Sequence, residues 1–158
     1  MLTTTAHLLS AFDEAFNRSG WHGANLLQSI QGVDDKGAAW RPAPGRHNIW
    51  EVVVHAAFWK HVVRERLTGS KDKTFPYAGR NWFVCPSGDR TFKADVALLK
   101  SEHKQLRAIV VGTSRAALEK SVHRRRNDTA AYTIRGITAH DVYHAGQIQL
   151  LRALARRT

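Results

Sequence analysis

Cysteine is nearly missing from this chain: Cys85 stands alone among 158 residues, which excludes an intrachain disulfide and any zinc site built from several thiolates. Imidazole and carboxylate are left as the available metal ligands, and a reducing compartment is consistent with the count. Long apolar runs are also missing. No stretch approaches the roughly 18 apolar residues that span a bilayer, and Met1 to Ala15 carries no basic segment ahead of its apolar residues, so a soluble, cytoplasmic protein without a membrane partner is expected. Acidic residues are few, 13 against 24 Lys and Arg, and the resulting net charge of +11 raises the question of an anionic partner. Finally, no segment alternates strongly with period two for long enough to build a sheet.

What is present is helical periodicity and histidine. At 43% hydrophobic, with five Trp and six Phe, residues 1–158 can fill the core of a single domain. Leu9, Phe12, Phe16, Leu26, Leu27 and Ile30 recur at helical spacing, so one helix is expected over about Thr4 to Ile30, kinked where Gly20 and Gly23 interrupt it. Pro42, Pro44 and Gly45 make 32–46 a non-helical connector. Asn48 followed by Glu51 has the spacing of a capping box and opens a second helix, which runs to about Leu67 with Val52, His55, Trp59 and Val62 along one seam. A third helix is expected over about Thr91 to Val111 and a fourth over about Thr133 to Ala155, with a short extra turn near Leu118 between them. The fold class is therefore all-α, a four-helix bundle with long connections between helices 1 and 2, 2 and 3, and 3 and 4.

The sharpest feature lies on the fourth helix. His140 and His144 are four residues apart, so they project from successive turns on one face, beside the apolar stripe Ile134, Ile137, Ile148 and Leu151. Such a pair is a two-pronged metal clip, and a bundle can bring His55 from the second helix to meet it. A buried histidine is more often a hydrogen-bonded core residue, which is the competing reading of each taken singly. His103 lies in the third-helix seam, as a satisfied core residue or as an outer or fourth ligand. His61, two residues beyond Trp59, is expected at the surface. The connection 69–90 carries Phe75, Tyr77, Trp82 and Phe83, and either forms a lid over the site or a plain hydrophobic plug. Most basic residues, Lys60, Arg64 and Arg66 among them, read as solvated helix faces. Arg124, Arg125 and Arg126 form the one dense run, and no known nucleic-acid-binding motif accompanies it.

Three stretches together resemble the DinB/YfiT-like superfamily of metal-binding four-helix bundles. They are Asn48-Ile49-Trp50-Glu51-Val52-Val53-Val54-His55, His140-Asp141-Val142-Tyr143-His144-Ala145-Gly146-Gln147-Ile148, and the connector Trp40-Arg41-Pro42-Ala43-Pro44-Gly45. The resemblance covers nearly the whole chain and departs at Ala145, where many members carry arginine. It implies His55, His140 and His144 as ligands of a divalent metal, zinc or nickel, a homodimer, and in some members a thiol-dependent transfer using a low-molecular-weight thiol. Glu51 and Asp141 are the candidates for a general base or for an outer-shell role. Three functions stay open: a metal-dependent transferase or hydrolase acting on a small molecule, a non-catalytic metal-binding stress-response bundle, and a basic nucleic-acid-binding protein.

Overall fold

In the computed structural model, which describes residues 4–71, 75–123 and 127–156, the secondary structure is helical throughout, with two isolated bridges and no strand among those residues. The helices are α1 (Thr4–Phe16), α2 (Leu26–Ser29), α3 (Asp35–Ala39), α4 (Ile49–Thr68), α5 (Phe92–Gly112), α6 (Arg115–Leu118) and α7 (Ala130–Ala155). The expected second and third helices are recovered to within a residue, and the short turn near Leu118 is α6. The fourth begins three residues early, because the Thr129 side chain accepts from the Tyr132 amide and caps it there.

Two expectations about the first third of the chain fail. The helix predicted over Thr4 to Ile30 ends at Phe16, where the Asp13 carbonyl accepts from both Asn17 and Arg18. A tight Gly20–Gly23 turn follows, with Gly23 in the left-handed region at φ 96°. Asn25 then closes a reciprocal capping box with Gln28 and starts α2 afresh. The connector 32–46 also contains a helix, α3, opened by the Asp34 side chain accepting from the Gly37 amide ahead of the prolines.

Residue pairings fix the directions of the four longer helices. Trp50 meets Asp95 while Arg64 meets Glu102, so α4 and α5 run the same way. Thr5 meets Thr113 and Asp13 meets Arg107, so α1 opposes α5; His55 meets His144 and Lys60 meets Asp141, so α7 opposes α4. Two neighbours running in parallel require a connection that returns along the whole helix, about 30 Å for 20 residues, which is why 69–91 is long.

Helix α4 is buried on every side over Ile49–Ala57, since α5 and α7 pack against it and the returning 75–90 segment covers the remainder. That segment is pinned by polar contacts. Asp95, fully buried, accepts from Trp50 Nε1 at 2.6 Å, from Tyr77 Oη at 2.6 Å, and from the Arg90 guanidinium. The Cys85 carbonyl accepts from Asn48 Nδ2 at 2.8 Å. One apolar cluster gathers around the start of α4, and a second around Phe12, Val63, Leu106 and Ile134. Phe12 and Phe16 bridge the two, and the Lys60 ammonium and the His103 ring lie against both of their rings.

Candidate metal centre

His55, one and a half turns into α4, faces His140 and His144 on α7, and the three rings present their Nε2 atoms to one point. His140 Nε2 lies 3.0 Å from His55 Nε2 and 3.0 Å from His144 Nε2, and the three ligand atoms all lie within 4.8 Å of one another. Metal–nitrogen bonds of about 2.0–2.1 Å place two nitrogens of one coordination sphere about 2.9–3.4 Å apart, and both pairs that include His140 have that spacing.

The tautomers can be read from the outer contacts. His55 Nδ1 is 2.7 Å from the Asn81 carbonyl, and His144 Nδ1 is 2.7 Å from Gln147 Oε1; both oxygens only accept, so both Nδ1 atoms carry the proton. Their Nε2 atoms are then bare lone pairs, each aimed at His140 Nε2, which can donate to only one of them. His140 Nδ1 is buried with no hydrogen-bond partner among the described residues. A protonated ring does not relieve this arrangement. Burial pushes the pKa of all three rings down, that of His140 to about 3 with His144 and His55 adding to the shift, and that of His144 to about 4. Converging neutral imidazole lone pairs fit a divalent cation.

The 75–90 segment reaches this centre through two residues. Asn81 adopts φ 70°, a left-handed conformation asparagine tolerates, which lets its carbonyl hold His55 while its side-chain Oδ1 accepts from Trp59 Nε1 at 2.9 Å. Trp82 stacks on His55 with ring centroids 3.9 Å apart, and His47 stacks on the other side of Trp82 at 3.6 Å. Of the four aromatics proposed as a lid, Trp82 covers the centre. Phe75, Tyr77 and Phe83 pack with one another, and Phe75 and Phe83 also pack on Phe58, so they form a plug beside it. Next to His140 opens a small cavity of about 150 Å³ whose wall includes Trp59, Arg66 and Tyr132, with the Arg66 guanidinium 5.7 Å from the Trp59 ring.

The two carboxylates singled out from the sequence are both committed elsewhere. Glu51 completes only half of a capping box: its amide donates to Asn48 Oδ1, but its carboxylate is taken by the Arg41 guanidinium, by His47 Nδ1 at 2.9 Å and by the Cys85 amide. Burial pushes its pKa up, and those partners outweigh burial and hold it below the usual range. Asp141 is fully buried and pairs with Lys60 Nζ at 2.5 Å. Burial moves Lys60 down and Asp141 up, each partly offset by the other.

Three further expectations need correction. Lys60 is not on a solvated face but wholly buried in that pair. His61 is not at the surface; it points away from the seam as expected, but α5 packs there and Glu102 Oε1 lies 3.3 Å from its Nδ1. His103 is neither a ligand nor a satisfied core residue: it stacks on Phe16 at 3.5 Å and Phe12 at 4.6 Å, and neither ring nitrogen has a hydrogen-bond partner among the described residues. The run Arg124, Arg125 and Arg126 lies outside the described residues. Cys85 is buried and burial pushes its thiol up to about 11, so it is no nucleophile. Ala145 is buried in the core, so that position directs no charge at the centre. Among the described residues no helix is long and apolar enough to cross a membrane.

Sequence reasoning missed Asn81, Gln147 as the partner of His144, and Lys60. Asn81, an asparagine in a loop beside aromatics, and Gln147, three residues beyond His144 on the same helix, carried a local signal; Lys60 did not. Compared with known proteins, the sequence pattern of the DinB superfamily matches residues 20–148. No curated protein matches the chain.

Proposed function

The chain belongs to the DinB superfamily, and from that premise we propose that it is a divalent-metal-dependent enzyme acting on a small molecule, by thiol-dependent transfer or by hydrolysis. The convergence of three neutral Nε2 atoms, with His55 and His144 locked in the ligating tautomer by Asn81 and Gln147, carries this reading. In it, residues 1–158 form one domain, a four-helix bundle of α1, α4, α5 and α7, with zinc or nickel held by His55, His140 and His144.

A divalent ion so held supplies Lewis acidity, making water or a thiol nucleophilic near neutral pH. The protein's own residues do the rest. Trp82 and Trp59 shield two sides of the centre, which lowers the local dielectric and strengthens each charge interaction there. Arg66, held over Trp59, lines the small cavity beside His140 together with Asp128. Because Cys85 is buried and protonated, any thiol comes from outside the chain. Glu51 and Asp141 serve by position: Glu51 anchors Arg41 and His47, and Asp141 ties α7 to α4 one residue from His140.

The test is metal analysis of the purified protein, followed by turnover assays on ester substrates without thiol and on electrophiles with added low-molecular-weight thiols. About one equivalent of zinc or nickel and turnover in one panel, both lost in His144→Ala, are expected. Metal without turnover in either panel would leave a metal-binding protein without catalysis.

A further inference from the structure

On the far side of Trp82 from His55 lies a groove of about 410 Å³, within the size range of small-molecule sites. Its floor is apolar: Val52, Trp82, Leu151 and the outward-facing Leu150 and Leu154 of α7. Its polar lining residues, Arg46, His47 and Gln147, include no carboxylate. Arg46 meets no acidic side chain among the described residues, and His47 has its Nδ1 held by Glu51, which leaves Nε2 as the free nitrogen of the ring. Gln147 belongs to the same wall, and its Oε1 accepts from the metal-ligand candidate His144.

We propose that this groove holds the apolar body of an amphipathic monoanion, a medium-chain or aryl carboxylate, with its charged head on the Arg46 guanidinium. The inference rests on the metal-centre reading above and names the substrate class for that site, since Trp82 and Gln147 are shared between groove and centre. Two observations select this occupant over a second copy of the chain. The groove's lining carries Arg46 and no carboxylate, and the nearby Glu51 is already taken by Arg41 and His47, in a protein of net charge +11, so a second copy brings like charge whereas a carboxylate neutralises it. The groove also shares Trp82 and Gln147 with the centre, and a ligand in the groove would touch both, which an ordinary protein interface would not require.

Calorimetric titration with decanoate, below the concentration at which it aggregates, tests this, with decanol as the uncharged comparison and sedimentation giving the oligomeric state. One saturable decanoate site per chain is expected. Arg46→Glu should weaken decanoate at least tenfold and leave decanol unchanged, because it reverses the charge at the head and touches nothing in the floor. Leu150→Glu, at an exposed position that leaves the core intact, should weaken both. Ala97→Glu, in the separate cleft of about 720 Å³ between α2, α3 and α5, should alter neither. No saturable decanoate binding, binding lost in Ala97→Glu instead, or decanoate binding indifferent to Arg46→Glu overturns the proposal. So does a dimer that Leu150→Glu splits without any decanoate uptake, which assigns the groove to a second copy. Metal content measured on the same samples separates the two readings: full metal with no decanoate uptake sinks this inference alone, and decanoate uptake without metal sinks the metal reading alone.

Discussion

His103 is a buried imidazole between two phenylalanine rings, and nothing beside it accepts or donates a hydrogen bond. A buried polar group without a partner costs about 1–3 kcal/mol, so His103→Leu, close in volume, is expected to raise stability by about that amount in urea unfolding. The pH dependence has a definite sign. Burial, with Lys60 and Arg107 adding to it, holds the folded pKa at about 2, against the ordinary 6.5 in the unfolded chain. Between those values the unfolded state binds the extra proton. The full contribution is therefore present above pH 6.5 and is lost as pH falls, and His103→Leu should flatten the acid side of the stability profile. A second expectation concerns the tautomers: Gln147→Ala should weaken metal binding about 10–100-fold without removing a ligand, measured by competition with a chromophoric chelator. The three converging histidines were legible in the sequence, His140 and His144 because i, i+4 spacing is a local property and His55 from its place on the second-helix seam. Of the partners of their Nδ1 atoms, Gln147 stands three residues from His144 on the same helix, whereas Asn81 reaches His55 across 26 residues through a backbone carbonyl, which no side-chain pattern encodes.

Between elements, the decisive contact is Lys60 on α4 with Asp141 on α7, both wholly buried. Removing one partner strands a charge, so Lys60→Met should cost about 3–5 kcal/mol, whereas Lys60→Met with Asp141→Leu should recover most of it; a double-mutant cycle in urea measures the coupling. If the double variant is as unstable as the single, the pair is not what joins these helices. The segment carrying Trp82 makes a separate prediction: Trp82→Ala removes the ring lying on His55 and should accelerate metal extraction by a chelator while leaving the ligand set intact. The long helices could be read from the sequence because caps and apolar period agree. The misreadings have one cause, which is tertiary packing. Lys60 and His61 occupy positions on α4 that are polar in composition, but α7 covers the first through Asp141 and α5 the second through Glu102. The expected first helix broke because Asn25 closes a stronger local cap than two glycines can carry through.

For the whole molecule, the centre joins α4 to α7, and these share apolar clusters with α1 and α5, so metal binding and global unfolding should be a single coupled event. An ion that binds only the folded chain stabilises it by about 2.7 kcal/mol at a hundred times its Kd, and a domain near this size shifts its Tm by about 2–4 °C per kcal/mol. A scanning-calorimetry comparison with and without zinc should therefore show one transition in each case, moved up by about 5–10 °C when metal is present. Two transitions, with only one of them moved, would contradict a single domain over residues 1–158. The shift must also shrink on acidification. The ligands bind as neutral imidazoles, and in the unfolded chain they protonate near pH 6.5, while in the folded chain burial delays this to about 4 for His144 and about 3 for His140. The metal-free fold already loses stability between pH 6.5 and about 3 as the unfolded state takes up protons. The ion competes with protons for the same Nε2 lone pairs, so the metal-induced gain in Tm should disappear as pH falls toward the folded values, and His55→Ala should abolish the gain at every pH.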